Sequence, residues 1–463
     1  MTRLQMTQAP VHAAAQRLPL LVILYLLCVA VPISFQAGAL YLTTLRLLLL
    51  LTTLPLLARV LMGKYGPTLP TDWLFLGHAI WICLSLAVNN PDRIIQQAPS
   101  VGVEFLGGYL IARACIRTPE TFLAVSRWII MIVICTIPFA LQETMSGNPL
   151  LLRIISAVPG VTTVNIVDIE ARLGFERVQA NFSHPIHYGL FCSIAFSMAF
   201  VALKDVFSRK RRFLTAGAVA FSGFLALSSG ALLAILLQMG LILWAAIFAG
   251  FKGRWWLLLG VFALFYVVID ITSDRTPLRV FMSYATFSAH NAFWRGIIFE
   301  WGVMNIFGNA TEGIPPAVWF GVGHNDWVRP TFMPSASIDN FWLLMAVRYG
   351  VPAFVFIALG WGVGLLGILR RPFEEQSTVG RIRRSYMFTF IGLTLTLATV
   401  HVWTNIYSFV FFIFGAGMWM MRFNPEGQTS PEDVSARKVS PHRPSEATVR
   451  PQPVFTRFAK TRP

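Results

Sequence analysis

Residues 231–249 read ALLAILLQMGLILWAAIFA, nineteen positions without a charged side chain and with Gln238 as the lone amide. At 1.5 Å per residue a helix of this length rises about 28 Å, close to the roughly 30 Å hydrocarbon core of a bilayer. The same kind of stretch recurs at Leu18–Phe35, Leu40–Met62, Trp73–Asn89, Ser100–Ile116 and Phe122–Leu141. After a polar gap come Ile186–Leu203, Phe213–Ser228, Ala231–Ala249 and Trp255–Ile271, and after a second gap Phe341–Leu369, Met387–Thr404 and Tyr407–Met421. The fold class expected is therefore all-α and polytopic, with about twelve transmembrane helices.

Composition agrees. The chain has 463 residues, 56% of them hydrophobic and 13% charged, with a mean hydropathy of +0.63. Soluble domains carry about 25% charged residues. A soluble enzyme, a secreted disulfide scaffold and a disordered protein are excluded. The five cysteines (Cys28, Cys83, Cys115, Cys135 and Cys192) fall in or beside apolar runs and show no metal-ligand spacing.

The net charge of +16 belongs to topology rather than to nucleic acid. With the amino terminus (Arg3, Arg17) cytoplasmic, the even-numbered turns are cytoplasmic too. These hold Lys64, Arg113 and Arg117, the cluster from Lys204 to Arg212, Lys252 and Arg254, and the arginines from Arg370 to Arg384. One threading satisfies the positive-inside rule at every short turn, and one miscounted span would invert all later ones. It gives a cytoplasmic segment 1–17, a membrane domain 18–421 and a basic tail 422–463 expected to be disordered and cytoplasmic. Ala37-Gly38-Ala39 resembles a signal-peptidase site, but the apolar stretch before it is too long for a signal peptide. The Phe341–Leu369 run contains Arg348, Gly350 and Pro352, which suits either a tilted helix or a broken one.

Two outward-facing segments are long, 142–185 and 272–339, beyond the length of ordinary connections. The first carries Leu150–Leu152, Ile154 and Ile155. The second carries Phe293, Trp294, Ile297, Ile298, Trp301 and Met304 at helical spacing, so both are expected to hold amphipathic helices lying on the membrane face. Arg172, Arg177, Arg275, Arg279 and Arg295 stand at loop–helix junctions where lipid headgroups lie. Guanidinium forks suit phosphate, although an interfacial Arg also serves as a snorkelling anchor. His184 and His187 suit either proton transfer or helix capping, Asp339-Asn340 suits an N-cap, and Gly321 and Gly323 suit a turn. The outer acids form no recognisable metal-ligand cluster, so no metal or other cofactor is expected.

Four motifs carry a resemblance. They are the Arg-x-x-x-x-Phe-x-His-Pro-Ile stretch from Arg177 to Ile186, Phe293-Trp294-Arg295, Gly321-Val-Gly323, and Asp339-Asn340-Phe-Trp-Leu343 entering a helix that reaches Arg348-Tyr-Gly350. With these the chain resembles the O-antigen ligase and polysaccharide polymerase family, bacterial inner-membrane glycosyltransferases that act on polyprenyl-pyrophosphate-linked sugars. The motifs cover the chain from about the sixth span onward; before it the likeness is one of hydropathy. Ligases of that family place His where this chain has Asp339, so the likeness is closer to the polymerase branch.

The resemblance implies a periplasmic reaction in which a sugar hydroxyl on one lipid-linked repeat displaces polyprenyl pyrophosphate from another. Arg177 and Arg295, with Arg172 third, are the expected pyrophosphate ligands; Asp339 is the favoured base, with His184 and His324 as competitors. Asn340, Gly321 and Gly323 are expected to position the acceptor. Partners expected are the lipid-linked oligosaccharide, membrane lipid and other polysaccharide assembly proteins. Two alternatives stand beside it. One is a ligase capping lipid A core; the other is a flippase for lipid-linked sugars, disfavoured by the scarcity of charge in the spans (Arg46, Glu104, Arg127, Asp270) and the lack of repeats.

Overall fold

A computed structural model describes residues 17–37, 40–274, 276–277, 280, 289–333 and 335–424. Arg275, Arg279, most of the N-terminal segment, Gly38-Ala39 and the basic tail beyond Asn424 lie outside the described residues. Described helices are α1 Leu20–Ala30, α2 Thr44–Leu61, α3 Pro70–Asn89, α4 Ile94–Cys115, α5 Pro119–Ser146, α6 Leu150–Ser156 and α7 Pro185–Phe200. They continue as α8 Arg209–Leu225, α9 Ser229–Ile247, α10 Arg254–Thr272, α11 Ala289–Phe307, α12 Phe341–Leu369, α13 Thr378–Thr396 and α14 Thr404–Ala416. Among them seven are long and apolar enough to cross a membrane: α2, α3, α5, α9, α10, α12, and α14 with its continuation to Met421.

The other five expected spans differ from the helices found. In place of a helix over Leu18–Phe35, α1 has 11 residues, about 16 Å of rise, and the chain then turns into a strand. That strand, β1 Ile33–Ala37, pairs antiparallel with β2 Leu40–Thr43 and with β3 Thr162–Thr163, in the order β2-β1-β3, so the fold is not purely α. Helix α7 has only 16 residues, and α8 opens with four basic residues, Arg209–Arg212. Helix α4 includes Gln96, Gln97, Glu104 and Arg113. Helix α13 ends at Thr396 rather than Thr404, leaving 397–403 irregular. These are polar or short helices that a hydropathy window merges with their apolar surroundings.

Helix ends follow local chemistry. Thr118 and Ser377 accept the backbone N–H three residues on, and α5 stops at Gly147, whose φ of 69° is the left-handed conformation of a C-terminal cap. Main seams of the core run where α14 packs against α4 and α7 against α8 and α9; nearly every residue of α7 and α14 is buried. In lipid, apolar contact alone gives helices little reason to associate, so close approach and polar contacts matter more. A Cβ on Gly108 of α4 would strike the backbone carbonyl of Ser408 on α14, and Gln238 of α9 donates to Ser193 O at 2.9 Å and accepts from Ser197 Oγ at 2.5 Å.

The long helix α12 is broken, not tilted. Gly350 (φ 84°, ψ 167°) separates Phe341–Tyr349 from Val351–Leu369, a conformation open in practice only to glycine. The break frees backbone carbonyls, and the 318–323 turn satisfies them. Val322 N donates to Val347 O at 2.9 Å, Gly323 N to Arg348 O at 2.8 Å, and Val351 N returns to Val318 O at 2.7 Å. Gly321 (φ 60°) lets that turn lie directly against Val347 and Arg348 of the helix, and Gly323 (φ 64°) against Asn89 and Asn90 at the end of α3. Helix α3 clamps it from the far side through Ser85 Oγ and Asn89 Nδ2, both donating to Phe320 O.

Candidate functional site: an arginine-lined cavity beside an apolar hollow

The segment before α7 is bound into the protein from two sides. Glu143, near the end of α5, accepts from the backbone N–H of Gln179 at 2.8 Å and of Ala180 at 2.9 Å, one with each carboxylate oxygen. Thr144 and Glu176 exchange hydrogen bonds, and Val178 N donates to Leu225 O at 3.1 Å. Upstream, a turn at Arg172–Phe175 lets Arg172 Nη1 reach Leu227 O at 2.8 Å. Arg172 and Arg177 are fixed by backbone rather than left on a free loop.

These two arginines meet Arg295 of α11 across one cavity of about 320 Å³. Its walls also include His184, Ser228, Trp294, Ser337, Asp339, His401 and Trp403. Three of the expected ligands thus come together from two segments more than a hundred residues apart. The Nε of Arg177 and Nη1 of Arg295 are buried without a hydrogen-bond partner. A guanidinium desolvated in this way needs an acceptor, and the cavity supplies three cations against one lining carboxylate.

The electrostatics follow from this crowding. Burial, then the neighbouring Arg172, brings Arg177 down to about 10, so it remains charged at neutral pH. Burial also lowers Arg295, opposed by Asp339 and reinforced by Arg172. Burial lowers Arg172 as well, against the attraction of Glu170. Burial, then Arg177 and Arg172, holds His184 at about 4; burial, then Arg348, holds His401 at about 3. Both imidazoles are neutral at pH 7.

Backbone strain gathers at the same place. Among the described residues, four non-glycine positions have positive φ: Leu173, Ala180, Leu227 and Thr404. Leu173, Leu227 and Thr404 each adjoin a cavity-lining residue (Arg172, Ser228 and Trp403), and Ala180 lies three residues from Arg177. Each costs on the order of 1–3 kcal/mol and marks where the fold holds side chains against local preference.

Other expected residues take different places. Asp339 lines the cavity but is exposed, not buried at the helix entry, because the cap falls to its neighbour: Asn340 Oδ1 accepts from Leu343 N at 3.1 Å. Its carboxylate accepts from Ser337 Oγ at 2.6 Å. His184 caps α7, its Nδ1 accepting from Ile186 N at 3.1 Å. His187 is buried and contacts Ser183 Oγ at 3.0 Å through Nδ1. His324 is not a wall of the cavity; its Nε2 lies 3.1 Å from Tyr349 Oη, and burial, then Arg348, lowers it to about 4. Gly321 and Gly323 serve the helix break. His401 and Trp403 escape a sequence reading because the expected span Met387–Thr404 swallows them. A histidine and a tryptophan two apart at the C-terminal end of an apolar run were the available signal.

A second hollow of about 720 Å³ adjoins the first, walled almost wholly by apolar groups of α10, α11, α12 and α13, including Tyr266, Phe299, Trp342, Leu343 and Phe354. Consecutive residues divide between the two. Ile298, Asp339 and Val400 face the charged cavity, while Phe299, Asn340 and Thr399 face the apolar hollow. Among the described residues no cluster of three or more His, Cys, Asp or Glu is placed to hold a metal ion. Comparison with protein-family models, with curated proteins and with solved structures finds no match to this chain.

Proposed function

We propose that this chain is a membrane glycosyltransferase of the polymerase type, joining polyprenyl-pyrophosphate-linked oligosaccharide repeats into O-antigen or exopolysaccharide on the periplasmic face of a bacterial inner membrane. The observation that carries the proposal is the pairing of a cavity walled by three arginines with an apolar hollow lined by the neighbouring residues of the same segments. An amphiphile with a diphosphate head and a hydrocarbon tail fits that pairing; a free sugar phosphate leaves the hollow unused. In this reaction the bond between anomeric carbon and phosphate oxygen breaks while the acceptor oxygen bonds to that carbon. Negative charge then develops on the departing diphosphate, where fixed guanidinium donors stabilise it most.

The wider topology belongs to the same proposal: twelve crossings counting the short helices α1, α7 and α8, both termini cytoplasmic, and the 142–185 and 272–339 segments periplasmic. Deleting the gene and sizing the surface glycan on a gel tests the function. Single repeats accumulating on lipid are expected. A normal ladder of chain lengths in the deletion strain would contradict it, and full-length glycan on lipid that fails only to join lipid A core would identify a ligase instead.

A further inference from the structure

A displacement of this kind must also dispose of the acceptor's hydroxyl proton, and among the described residues lining the cavity three side chains have an atom able to take it: His184, Asp339 and His401. The first two are engaged. His184 spends its Nδ1 lone pair on the N–H of Ile186, which puts the ring proton on Nε2 and leaves that ring a donor. Asp339 is exposed, accepts the Ser337 hydroxyl and lies in the field of Arg295. That carboxylate is engaged by a hydroxyl and faced by a guanidinium before any acceptor arrives.

His401 differs from both. It sits on the irregular 397–403 segment, which is fixed at Phe341 N by bonds to Leu397 O at 2.8 Å and Val400 O at 3.2 Å. Trp403 packs against the rings of His401 (centroids 5.3 Å apart), His187 (4.0 Å) and His184 (5.7 Å). Among the described residues the His401 ring makes no hydrogen bond, and neither nitrogen is sealed from the cavity. We infer that His401 is the catalytic base, the imidazole that receives the acceptor's hydroxyl proton as the new glycosidic bond forms. The inference rests on the proposed reaction and deepens it. The proton passes from the acceptor oxygen to a ring nitrogen of His401 and then to an oxygen of the departing diphosphate, so the ring ends neutral and ready again.

The donor itself completes this base. The groups facing His401 are Arg348 of α12, His184 and His187 of α7, and across the cavity the three arginines and Asp339. With the cavity free of anions this setting is cationic and keeps the imidazole unprotonated. A diphosphate seated on the arginines reverses the local field and raises the basicity of the ring. Proton acceptance is thereby switched on when a donor is in place, which disfavours activating an acceptor with nothing to attack.

The test uses the full chain in lipid nanodiscs, with the lipid-linked glycan extracted from cells lacking it as substrate and inorganic pyrophosphate as competitor. His401→Gln and His401→Ala should lower turnover by about 10²–10⁴-fold, the usual worth of a positioned base, with inhibition by pyrophosphate unchanged. Added imidazole should restore part of the turnover of His401→Ala and none of that of Arg177→Ala, and thermal melts should match the wild type. Full turnover by His401→Gln overturns the inference while leaving the reaction standing. So does loss of turnover together with loss of pyrophosphate inhibition and no rescue, which would make His401 a binding group. A wild-type chain that makes no polymer from this substrate overturns the reaction itself.

Discussion

Arg177 and Arg295 were legible as residues because their type and their loop–helix junctions suited phosphate; their meeting was not, because contact across more than a hundred residues is a property of packing. What separates a ligand from a snorkelling anchor is a buried, unpartnered nitrogen on an arginine that also lines the shared cavity, a combination both residues have. Arg177→Lys and Arg295→Lys should each lower polymerisation about 100- to 1000-fold in a membrane assay, since a point charge does not replace a fork, whereas anchors would lose little. The histidines set a pH effect of definite sign. His184 and His401 are held near 4 and 3 in the folded chain against an ordinary value near 6.5. Between those limits the unfolded chain binds more protons, so stability present above pH 6.5 is lost as pH falls toward 4. The apparent Tm in detergent should drop over that interval, and inorganic pyrophosphate should restore part of it by offsetting the cavity's positive charge.

At the scale of elements, two devices hold the site. One is Glu143, whose paired oxygens fix the backbone beyond Arg177. Glu143→Gln keeps one acceptor but turns an amide N–H₂ toward the other backbone N–H, leaving a buried donor unmet at about 1–3 kcal/mol. Faster hydrogen exchange across 176–184, with reduced turnover and the rest of the exchange map unaltered, is expected. The other device is the break in α12. Gly350→Ala places a Cβ against the carbonyl of Trp319 at a φ of 84°, and a lowered Tm with poor yield should follow. Gly350 and Pro352 announced this break from the sequence, as the two options for Phe341–Leu369 show. The strand pairing of Ile33–Ala37 with Thr162–Thr163 was not announced, because two residues some 130 positions away carry no local signal.

For the whole molecule, hydropathy located the seven helices long and apolar enough to cross a membrane, α14 with its continuation among them although nearly all of it is buried. Elsewhere its bounds differ from the helices found: α7 is buried over almost all of its 16 residues and α8 and α13 begin in basic turns, so window length and charge no longer measure membrane depth there. The apolar hollow was likewise invisible, being made by four helices whose outward faces read as ordinary lipid contact. Filling it tests its role: Ala346→Phe should raise the KM for the lipid-linked donor while leaving inhibition by inorganic pyrophosphate unchanged. An equal effect on both would show that the hollow does not hold the tail.

Calorimetric titration of the purified chain with farnesyl diphosphate, a short prenyl diphosphate, tests the arginine cavity most directly. Wild type should bind at one site, and Arg177→Gln and Arg295→Gln should each weaken binding roughly ten- to a hundred-fold, the worth of a charge-assisted hydrogen bond of about 1.5–3 kcal/mol. Equal affinity in the wild type and both variants would contradict a diphosphate held by these guanidinium groups.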